Sequence, residues 1–513
     1  MMEVVTTIPT EIWLRIFHLL PPQDIRIIRQ VHSVFNAYSQ SFLWRYLVLG
    51  RLEPKHRNQA KAILRNLALG QHVKALHIQP SSWEVEGSGY DYPLAIKAPT
   101  SVWTADPPIR TWVDLLIQMK WKHPIRSFRH FSYSKKTVST GLAVIPHLTQ
   151  LRVLLVSAWH YADVKHPSPE PYHAIWSKLR THQLTTVCFS FSAWSALQIF
   201  SGTVQSSQTT FPCLETFSLD TTFQFNDSWE PEQFEEAIRV IASTGRGSVK
   251  FLRLYHNNIA ESALSKLFSG LGLFPKLVQL DFEGYYSQYG TPVAKFLAHH
   301  SSLQTLNLEG YIDQVFSCLP TVGFDSSQSL KLTSLGLKYE VKRNLAWLIG
   351  EPSLQRYADT LTTLVIIPSR PGPDFPYALS YQDLNRLTSS LYKSPGGALL
   401  ERLRIPIVHL CPEVFELLSN RLENLHTLCI LYHSLVTRLD IEAAEPTAFW
   451  QEMKKKTYPN WKIRQFCLDP ISSMPSKLSG EEQEIMNQVI PSIKTFDAGD
   501  WWHFQVKIES GVQ

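Results

Sequence analysis

Apolar residues recur along much of this chain in a short pattern, apolar-x-x-apolar-x-apolar. The clearest copies follow one another between residues 249 and 366, and their first residues are 28, 26, 29 and 29 positions apart. These copies are Val249/Leu252/Leu254, Leu277/Leu280/Phe282, Leu303/Leu306/Leu308, Leu332/Leu335/Leu337 and Leu361/Leu364/Ile366. Because alternate residues of a strand face the same side, the last two positions of each copy predict a strand with apolar side chains that point inward, and we expect the first position to point inward as well.

Looser copies extend the pattern in both directions. They are Leu151/Leu154/Val156, Leu184/Val187/Phe189, Leu214/Phe217/Leu219, Leu400/Leu403/Ile405, Leu425/Leu428/Ile430 and Ile463/Phe466/Leu468. Apolar residues are frequent in this chain, so a single triplet arises easily by chance. The regular spacing therefore carries more weight than any one copy.

Helical stretches separate the triplets. Apolar residues at helical spacing predict helices at 232–242, 260–271, 292–299, 381–391 and 413–422. A strand, a turn and a helix that repeat at this period form the unit of a leucine-rich repeat. Residues 148–470 therefore resemble an irregular leucine-rich-repeat solenoid, with parallel strands inside and helices outside. The alternative is a non-repetitive α/β domain.

The residues beside the inward positions form a candidate surface for a target protein, because they point out from one face of the predicted strands. Its polar members are Arg253, Tyr255, Asp281, Glu283, Asn307, Glu309 and Lys338. Farther along the chain the same positions hold the apolar residues Val365, Ile367, Cys429 and Leu431. An exposed apolar patch would mark an interface. The alternative is that helices or the C-terminal segment cover it.

The first fifty residues predict three short helices. Pro9 suits a first helical turn, and Pro21-Pro22 ends that helix. A second helix is expected over 23–31 and a third over 33–49. Three short helices bury little surface by themselves, so this module should lean on a neighbour or a partner.

The order and spacing of the residues in this segment resemble an F-box. The matching residues are Ile8-Pro9-Thr10-Glu11-Ile12, Ile16-Phe17, Leu19-Leu20, Pro22-Gln23-Asp24-Ile25, Val31, Phe35 and Leu43-Trp44-Arg45. His32 and Phe35 depart from the family, which often has Cys and Trp there. The resemblance implies docking to the Skp adaptor of SCF (Skp–cullin–F-box) ubiquitin ligases and, through it, to the cullin. The chain is also similar to fungal-type F-box proteins.

The candidate adaptor contacts are apolar side chains of this module. They are Ile8, Pro9, Ile12, Ile16, Leu20, Ile25, Val31, Phe35 and Trp44. Four of them recur at every fourth residue of the predicted first helix, and each contributes on the order of 1.5–3 kcal/mol when fully buried. Some must also hold the three helices together, and the sequence does not divide them between core and interface.

The predicted fold class is therefore α/β, with a three-helix F-box followed by the repeat solenoid. The predicted parts are the F-box at 1–50, connecting helices and a loop insertion at 51–147, the repeats at 148–470 and a C-terminal cap or tail at 471–513. Pro-, Gly- and Ser-rich sequence predicts long loops at 81–108 and 158–171. Trp501-Trp502-His503-Phe504 is expected to pack on the last repeat, and the alternative is that it binds a base or another ligand.

Composition narrows the function classes. The chain has 513 residues, of which 44% are hydrophobic and 18% charged, with a formal net charge of +5. Such a globular, weakly basic chain argues against nucleic acid as a partner. No apolar run predicts a membrane span, and the start does not predict a secretory signal. Six cysteines without a CxxC pair predict reduced thiols in a cytoplasmic or nuclear protein.

Catalytic motifs are not recognisable in the sequence. It has no GxxxxGK[ST] phosphate loop, HExxH zinc helix or GxSxG elbow. His409 and Cys411 lie close together, but a buried, inert thiol is the simpler interpretation. His299 and His300 end a predicted helix, where a partly charged imidazole suits the helix dipole. We therefore expect no enzyme activity, no cofactor and no metal.

Two functional hypotheses follow from these patterns. The first is a substrate-recognition subunit of an SCF-type ubiquitin ligase, which docks the adaptor through the F-box and a target protein through the repeats. It would act by proximity, because a held target has a high effective concentration near the ubiquitin-charged enzyme. The second is a leucine-rich-repeat scaffold whose F-box-like segment is structural or serves a non-ligase complex.

Overall fold

The chain divides into two compact units, residues 1–249 and 250–513. The computed structural model describes residues 9–20, 22–49, 54–78, 142–158, 175, 177–179, 182–191, 211–222, 247–257, 268, 274–284, 290–310, 330–339, 354–368, 378–392, 399–438, 446–471 and 478–496. The predicted loops at 81–108 and most of 158–171, the helix at 232–242, most of the helix at 260–271 and the aromatic segment at 501–504 lie outside these ranges.

The first unit begins with helices and continues with parallel strands. Its helices are α1 (Thr10–Leu19), α2 (Pro22–Ile28), α3 (Ser33–Leu43) and α4 (Pro54–Arg65), with 3-10 turns at Leu67–His72 and Ile145–His147. Its strands are β1 (Tyr46–Leu49), β2 (Ala75–Ile78), β3 (Val153–Ala158), β4 (Thr186–Phe191) and β5 (Thr216–Thr222). These strands pair in parallel, each with the next one in the chain.

The second unit has the same plan. Its strands are β6 (Phe251–Asn257), β7 (Gln279–Gly284), β8 (Thr305–Gly310), β9 (Ser334–Tyr339), β10 (Thr363–Pro368), β11 (Arg402–Leu410), β12 (Thr427–Leu435), β13 (Gln465–Pro470) and β14 (Thr495–Phe496). Its helices are α5 (Gly290–Ala298), α6 (Tyr381–Leu391), α7 (Pro412–Arg421), α8 (Pro446–Met453) and α9 (Gly480–Val489), with a 3-10 turn at Gln355–Tyr357. Here too each strand pairs in parallel with the next.

This topology confirms an α/β protein with parallel strands and helical connections. A strand order that follows the chain order is the order that a solenoid requires. The predicted helices at 292–299, 381–391 and 413–422 correspond to α5, α6 and α7. Among the described helices, none is long and apolar enough to cross a membrane.

The eleven apolar triplets predicted from the sequence are the core of both units. Every residue of these triplets is at most 4% exposed. One further triplet, Val73/Leu76/Ile78, fits the same pattern around β2 and is completely buried. The strands also extend past the predicted repeats at 148–470, with β1 and β2 before them and β14 after them.

Many triplets have a fourth buried residue, which lies three residues before the first triplet residue. The chain makes a turn at this residue before the strand begins. The backbone N–H of the first triplet residue donates to the carbonyl of this position at distances of 3.0–3.1 Å. The position is held by Leu148, Phe211, Phe274, His300 and Leu422, all at most 3% exposed. The repeat is therefore longer than the triplet, and its turn is part of the core.

Hydroxyl side chains join some consecutive repeats just before the triplet. Ser302 Oγ donates to the carbonyl of Leu277, and Thr360 Oγ1 donates to the carbonyl of Leu332, each at 2.8 Å. In both cases the acceptor is the first triplet residue of the preceding repeat. These bonds satisfy carbonyls near the core and help to fix the register between neighbours.

The third predicted helix was too long. The expectation was a helix over 33–49, but α3 ends at Leu43 and Tyr46–Leu49 forms β1. In β1 half-buried and buried residues alternate, which is the period of a strand with one buried face. Pairing with β2 provides the hydrogen-bond partners that this short segment needs.

His300 also differs from the prediction of a partly charged imidazole, because it is 3% exposed and makes hydrogen bonds at both ring nitrogens. Its Nε2 accepts the backbone N–H of Phe274 at 3.0 Å, and its Nδ1 donates to the carbonyl of Phe296 at 2.6 Å. Only a neutral imidazole can accept at one nitrogen and donate at the other. His300 is therefore an uncharged link between consecutive repeats.

We expect Leu306→Ala to lower the free energy of unfolding by about 2–5 kcal/mol, because Leu306 is fully buried in a triplet. Urea unfolding of the whole chain, followed by circular dichroism, measures this loss. The control is Gln304→Ala, two residues earlier and exposed, which should change stability by less than about 0.5 kcal/mol. Equal stability of Leu306→Ala and the wild type would contradict the assigned core.

His300 should make stability depend on pH. Burial lowers the pKa of His300 in the folded protein, so the unfolded chain takes up the proton first. Its contribution is complete above the ordinary imidazole pKa of about 6.5 and is lost as the pH falls from there through the lowered pKa. We expect the wild type to lose stability over this window more steeply than His300→Gln, measured by urea unfolding at several pH values.

The matched control for this prediction is His433→Gln, which changes an exposed histidine of the same unit. It should keep the pH profile of the wild type. Burial also lowers the pKa of His72 and His182, and both remain in every variant. If the free energy of unfolding of His300→Gln depended on pH in the same way as that of the wild type, His300 would not be the neutral hydrogen-bonded residue described above.

Candidate protein-interaction surfaces

The three N-terminal helices close around an aromatic core. Phe17, Ile25 and Phe35 are 1%, 2% and 8% exposed. The ring of Trp13 meets the ring of Phe35 edge-on, with centroids 4.7 Å apart, and Phe17 stacks on Phe42 at 5.8 Å. The structure thus places Ile25 and Phe35, two of the candidate adaptor contacts, inside the helical module.

Another side of α1 carries apolar residues that remain in solvent. Ile12, Ile16 and Leu19 are 43%, 37% and 81% exposed. Ile27 on α2 and Val31 just after it are 64% and 66% exposed. We call these five residues the apolar set. Of the eight large apolar side chains that are exposed among the described residues, five belong to this set, so the exposure is concentrated in one short segment.

Helix geometry explains which residues of α1 turn outward. Positions 12, 16 and 19 lie within about 60° of one another on a helix of 100° per residue, whereas positions 13, 17 and 20 lie on another side. Leu20 therefore packs against the helical core. The sequence pattern predicted Leu20 as the outward residue after Ile12 and Ile16, but in the structure this residue is Leu19. The distinction depends on which face meets α3, which the sequence alone does not show.

The other candidate adaptor contacts lie at the edges of the module. Pro9 is exposed and precedes α1, and Trp44 is half-buried and follows α3. Ile8 lies outside the described residues. Arg45 connects the module to the strands, because its carbonyl accepts the backbone N–H groups of Lys74 and Ala75 at 2.9 and 3.0 Å.

The candidate target-binding residues come together on four neighbouring strands, β6 to β9. Arg253, Asp281 and Asn307 occupy one register position, and Gly336 follows them on β9. A second row, two residues farther along each strand, holds Tyr255, Glu283, Glu309 and Lys338. We call the seven polar residues of these rows the polar ladder.

Charges of the polar ladder pair mainly with one another. Asp281 Oδ1 accepts from Asn307 Nδ2 at 2.6 Å and from Gln279 Nε2 at 2.7 Å. Asp281 Oδ2 lies 4.0 Å from Arg253 Nε. The guanidinium of Arg253 covers the ring of Tyr255 at 4.6 Å from its centroid, and Lys338 pairs with Glu309. The ladder is thus a cross-strand network.

Burial of the polar ladder affects the protonation of Tyr255 and the exposure of its other polar groups. Desolvation raises the pKa of Tyr255 well above its ordinary value, so its phenol stays protonated. Glu283 and Asn307 are only 9% and 4% exposed. A partner that met this face would contact a pre-arranged, half-buried polar network and few freely solvated charges.

The apolar end of the predicted surface is covered by the chain itself. Ile367 and Leu431 form a buried cluster with Ala378 and Ile471, and Val365 packs against it. Backbone bonds hold the cover in place, since the N–H of Ile471 donates to the carbonyl of Tyr432 at 2.8 Å. Of the two alternatives for this end, coverage is the one that the structure contains.

The thiol of Cys411, which lies two residues after His409, is buried. Cys411 is 0% exposed, and burial raises its pKa to about 12. The Nδ1 atom of His409 lies 2.7 Å from Ser434 Oγ. An unreactive thiol is the interpretation that these contacts support.

The comparisons with known proteins concern the N-terminal module. An F-box-like family model matches residues 5–50, which contain α1, α2, α3 and β1. No curated protein is similar in sequence to this chain. The chain thus contains an F-box-like domain, which is a module for protein–protein interaction.

We expect Asp281→Ala to lower the free energy of unfolding by about 1–3 kcal/mol, because it strands polar partners in a half-buried network. Asp281→Asn should lose less, since its amide oxygen still accepts one hydrogen bond. Urea unfolding measures both. Glu423→Ala removes an exposed carboxylate and should leave stability within about 0.5 kcal/mol of the wild type. An Asp281→Ala variant as stable as this control would contradict the network.

Proposed function

We propose that this protein is the substrate-recognition subunit of an SCF-type ubiquitin ligase. Its F-box-like domain docks a Skp-type adaptor and, through the adaptor, the cullin. Its repeats, which we assign to the leucine-rich-repeat class, hold a target protein. The apolar set carries the proposal, since the exposed apolar side chains are concentrated in the segment that the F-box-like family model matches.

The apolar set has the chemistry of a docking surface. Large exposed apolar side chains that are gathered in one segment mark an interaction site, because leaving them in water is unfavourable. Each contributes on the order of 1.5–3 kcal/mol when a partner covers it completely. The aromatic core behind Ile12 and Ile16 holds α1 in place, so little conformational entropy is lost on docking.

The remaining contacts have a supporting role in this proposal. Ile25 and Phe35 shape the module from within, Leu20 packs against its core, and Trp44 is half-buried at its edge. Phe35 does this with an aromatic ring smaller than the Trp that is common in the family. The adaptor contacts themselves are then Ile12, Ile16 and Leu19 on α1, with Ile27 and Val31 beside them.

The repeats supply the target site in this proposal. The buried triplets, the parallel order of the strands and the outer helices all support the leucine-rich-repeat assignment. The polar ladder is the part of the strand face that offers polar groups to a target, and Lys338 is its most exposed charge among the paired residues, at 25%. Recognition of such a network would depend on shape and hydrogen bonding more than on net charge.

The mechanism is proximity, and we assign no catalytic step to this chain. Holding a target near the ubiquitin-charged enzyme raises its effective concentration. We further propose a cytoplasmic or nuclear location, where the thiols stay reduced, and neither nucleic acid nor membrane as a partner.

The direct test is the affinity of the full chain for a purified Skp-type adaptor, measured by titration calorimetry. In the double variant Ile12→Asp, Ile16→Asp, docking would bury carboxylates without partners. We therefore expect its affinity to fall at least about 100-fold. Circular dichroism and urea unfolding show whether the variant keeps its fold.

The matched control is Leu399→Asp, which places the same charge on an exposed leucine of the second unit, 45% exposed. It should bind the adaptor as the wild type does. Failure of the wild type to bind would reject the proposal and favour the scaffold hypothesis, in which the module is structural. Unchanged affinity in the folded double variant would reject the apolar set as the docking site.

A further inference from the structure

Two cysteines and an aspartate lie together in the second unit, on the covered part of the strand face at β12 and β13, whereas the polar ladder lies on β6 to β9. Cys429 on β12 and Cys467 on β13 are register partners in neighbouring parallel strands. Asp469 lies two residues beyond Cys467, so it faces the same side of the strand. The three residues are 0%, 4% and 3% exposed.

Their potential ligand atoms are close together. The two sulfurs and a carboxylate oxygen all lie within 4.8 Å of one another. Cys467 Sγ donates to Asp469 Oδ2 at 3.2 Å. The other carboxylate oxygen, Asp469 Oδ1, is buried and has no hydrogen-bond partner among the described residues. An unsatisfied carboxylate oxygen in the interior is unfavourable, and a bound cation is one way to satisfy it.

We propose that Cys429 Sγ, Cys467 Sγ and the carboxylate of Asp469 bind one zinc ion. Thiolates favour soft or borderline metals, and a carboxylate completes sets of this kind for Zn²⁺. Three protein ligands leave the fourth tetrahedral position to a water molecule. The sequence shows no such site, because the cysteines are far apart and form no CxxC pair.

The spacing of the strands suits a metal better than a disulfide. Neighbouring strands lie about 4.8 Å apart, and side chains in register point the same way. The two Cβ atoms of a disulfide lie about 3.8 Å apart on average, which is closer than this strand spacing. Zn–S bonds of about 2.3 Å at tetrahedral angles place two sulfurs about 3.8 Å apart while the Cβ atoms keep the strand spacing.

The surrounding charge fits a divalent ion. Arg404 on β11 is the register partner of Cys429 and is 2% exposed. Two thiolates, one carboxylate and Zn²⁺ carry a net charge of −1, which the guanidinium of Arg404 neutralises. Binding releases the two thiol protons to solvent.

Without a metal ion, the surroundings of the cluster favour the protonated forms of Cys467 and Asp469. The hydrogen bond with Cys429 and burial raise the pKa of the Cys467 thiol. Burial also raises the pKa of Asp469, against the opposing effects of Cys467 and Arg404. A cation at this place would reverse both shifts, because it stabilises the deprotonated forms.

The test titrates the full-length, chelator-treated chain with Co²⁺ and then displaces the cobalt with Zn²⁺. We expect one Co²⁺ per chain with thiolate-to-cobalt charge-transfer absorption, and displacement by one Zn²⁺. Cys467→Ser and Asp469→Asn should each weaken binding by more than about 100-fold, a larger loss than outer partners of metal ligands usually cause. The matched control is Cys411→Ser, which changes another fully buried thiol and should bind as the wild type does.

A second measurement needs no variant. Zn²⁺ should raise the midpoint of thermal unfolding of the wild-type chain, and Mg²⁺ should not, because thiolates bind magnesium poorly. The proposal is overturned if the wild type shows no thiolate-to-cobalt absorption. It is also overturned if Cys467→Ser and Asp469→Asn keep the affinity of the wild type, or if Cys429 and Cys467 form a disulfide in the purified chain.

Discussion

The apolar positions of each triplet are buried because the neighbouring repeats supply matching apolar positions beside them. Leu280, Leu306 and Leu335 are such partners on consecutive strands, and each is 0% exposed. A single repeat cannot bury its own inner face. The stability of each unit therefore depends on the contacts between consecutive repeats. The turn residues before the triplets belong to this constraint. His300 shows this, since it joins the turn at Phe274 to the helix that ends near Phe296.

The residues beside the triplets are then available for other roles, and the second unit uses them differently along its length. On β6 to β9 they form the polar ladder. Near β10 and β12 they pack under Ala378 and Ile471. On β12 and β13 they form the cysteine–aspartate cluster. The N-terminal helices do not repeat this pattern. One face of α1 packs into an aromatic core, and another face is exposed to solvent.

Much of this architecture could be predicted from the sequence, because it depends on local periodicity. The triplets, the α/β class and the helices α5 to α7 follow from spacing alone. The end of α3 could not be predicted, because Tyr46–Leu49 becomes a strand by pairing with β2, about thirty residues later. Gly70 is a similar case. A Cβ there would lie 2.4 Å from the carbonyl oxygen of His147, a contact that no local pattern reveals.

The candidate sites were predictable in outline but not in detail. Spacing located the adaptor contacts in α1 but assigned Leu20 in place of Leu19, because the direction of the core is a tertiary property. It also located Arg253 and Asp281 on one face without showing that they pair across strands. The triplets place Cys429 and Cys467 at equivalent positions of neighbouring repeats, but the sequence does not show that their sulfurs meet the carboxylate of Asp469 in a buried cluster.

Hydrogen–deuterium exchange of the full chain, with and without a Skp-type adaptor, tests most directly whether the chain docks through α1 and α2. The adaptor should slow exchange of backbone amides within residues 12–31 and leave the amides of β7 to β13 unchanged. Unchanged exchange in residues 12–31 at saturating adaptor, or protection that falls on the strands of the second unit instead, would contradict this assignment.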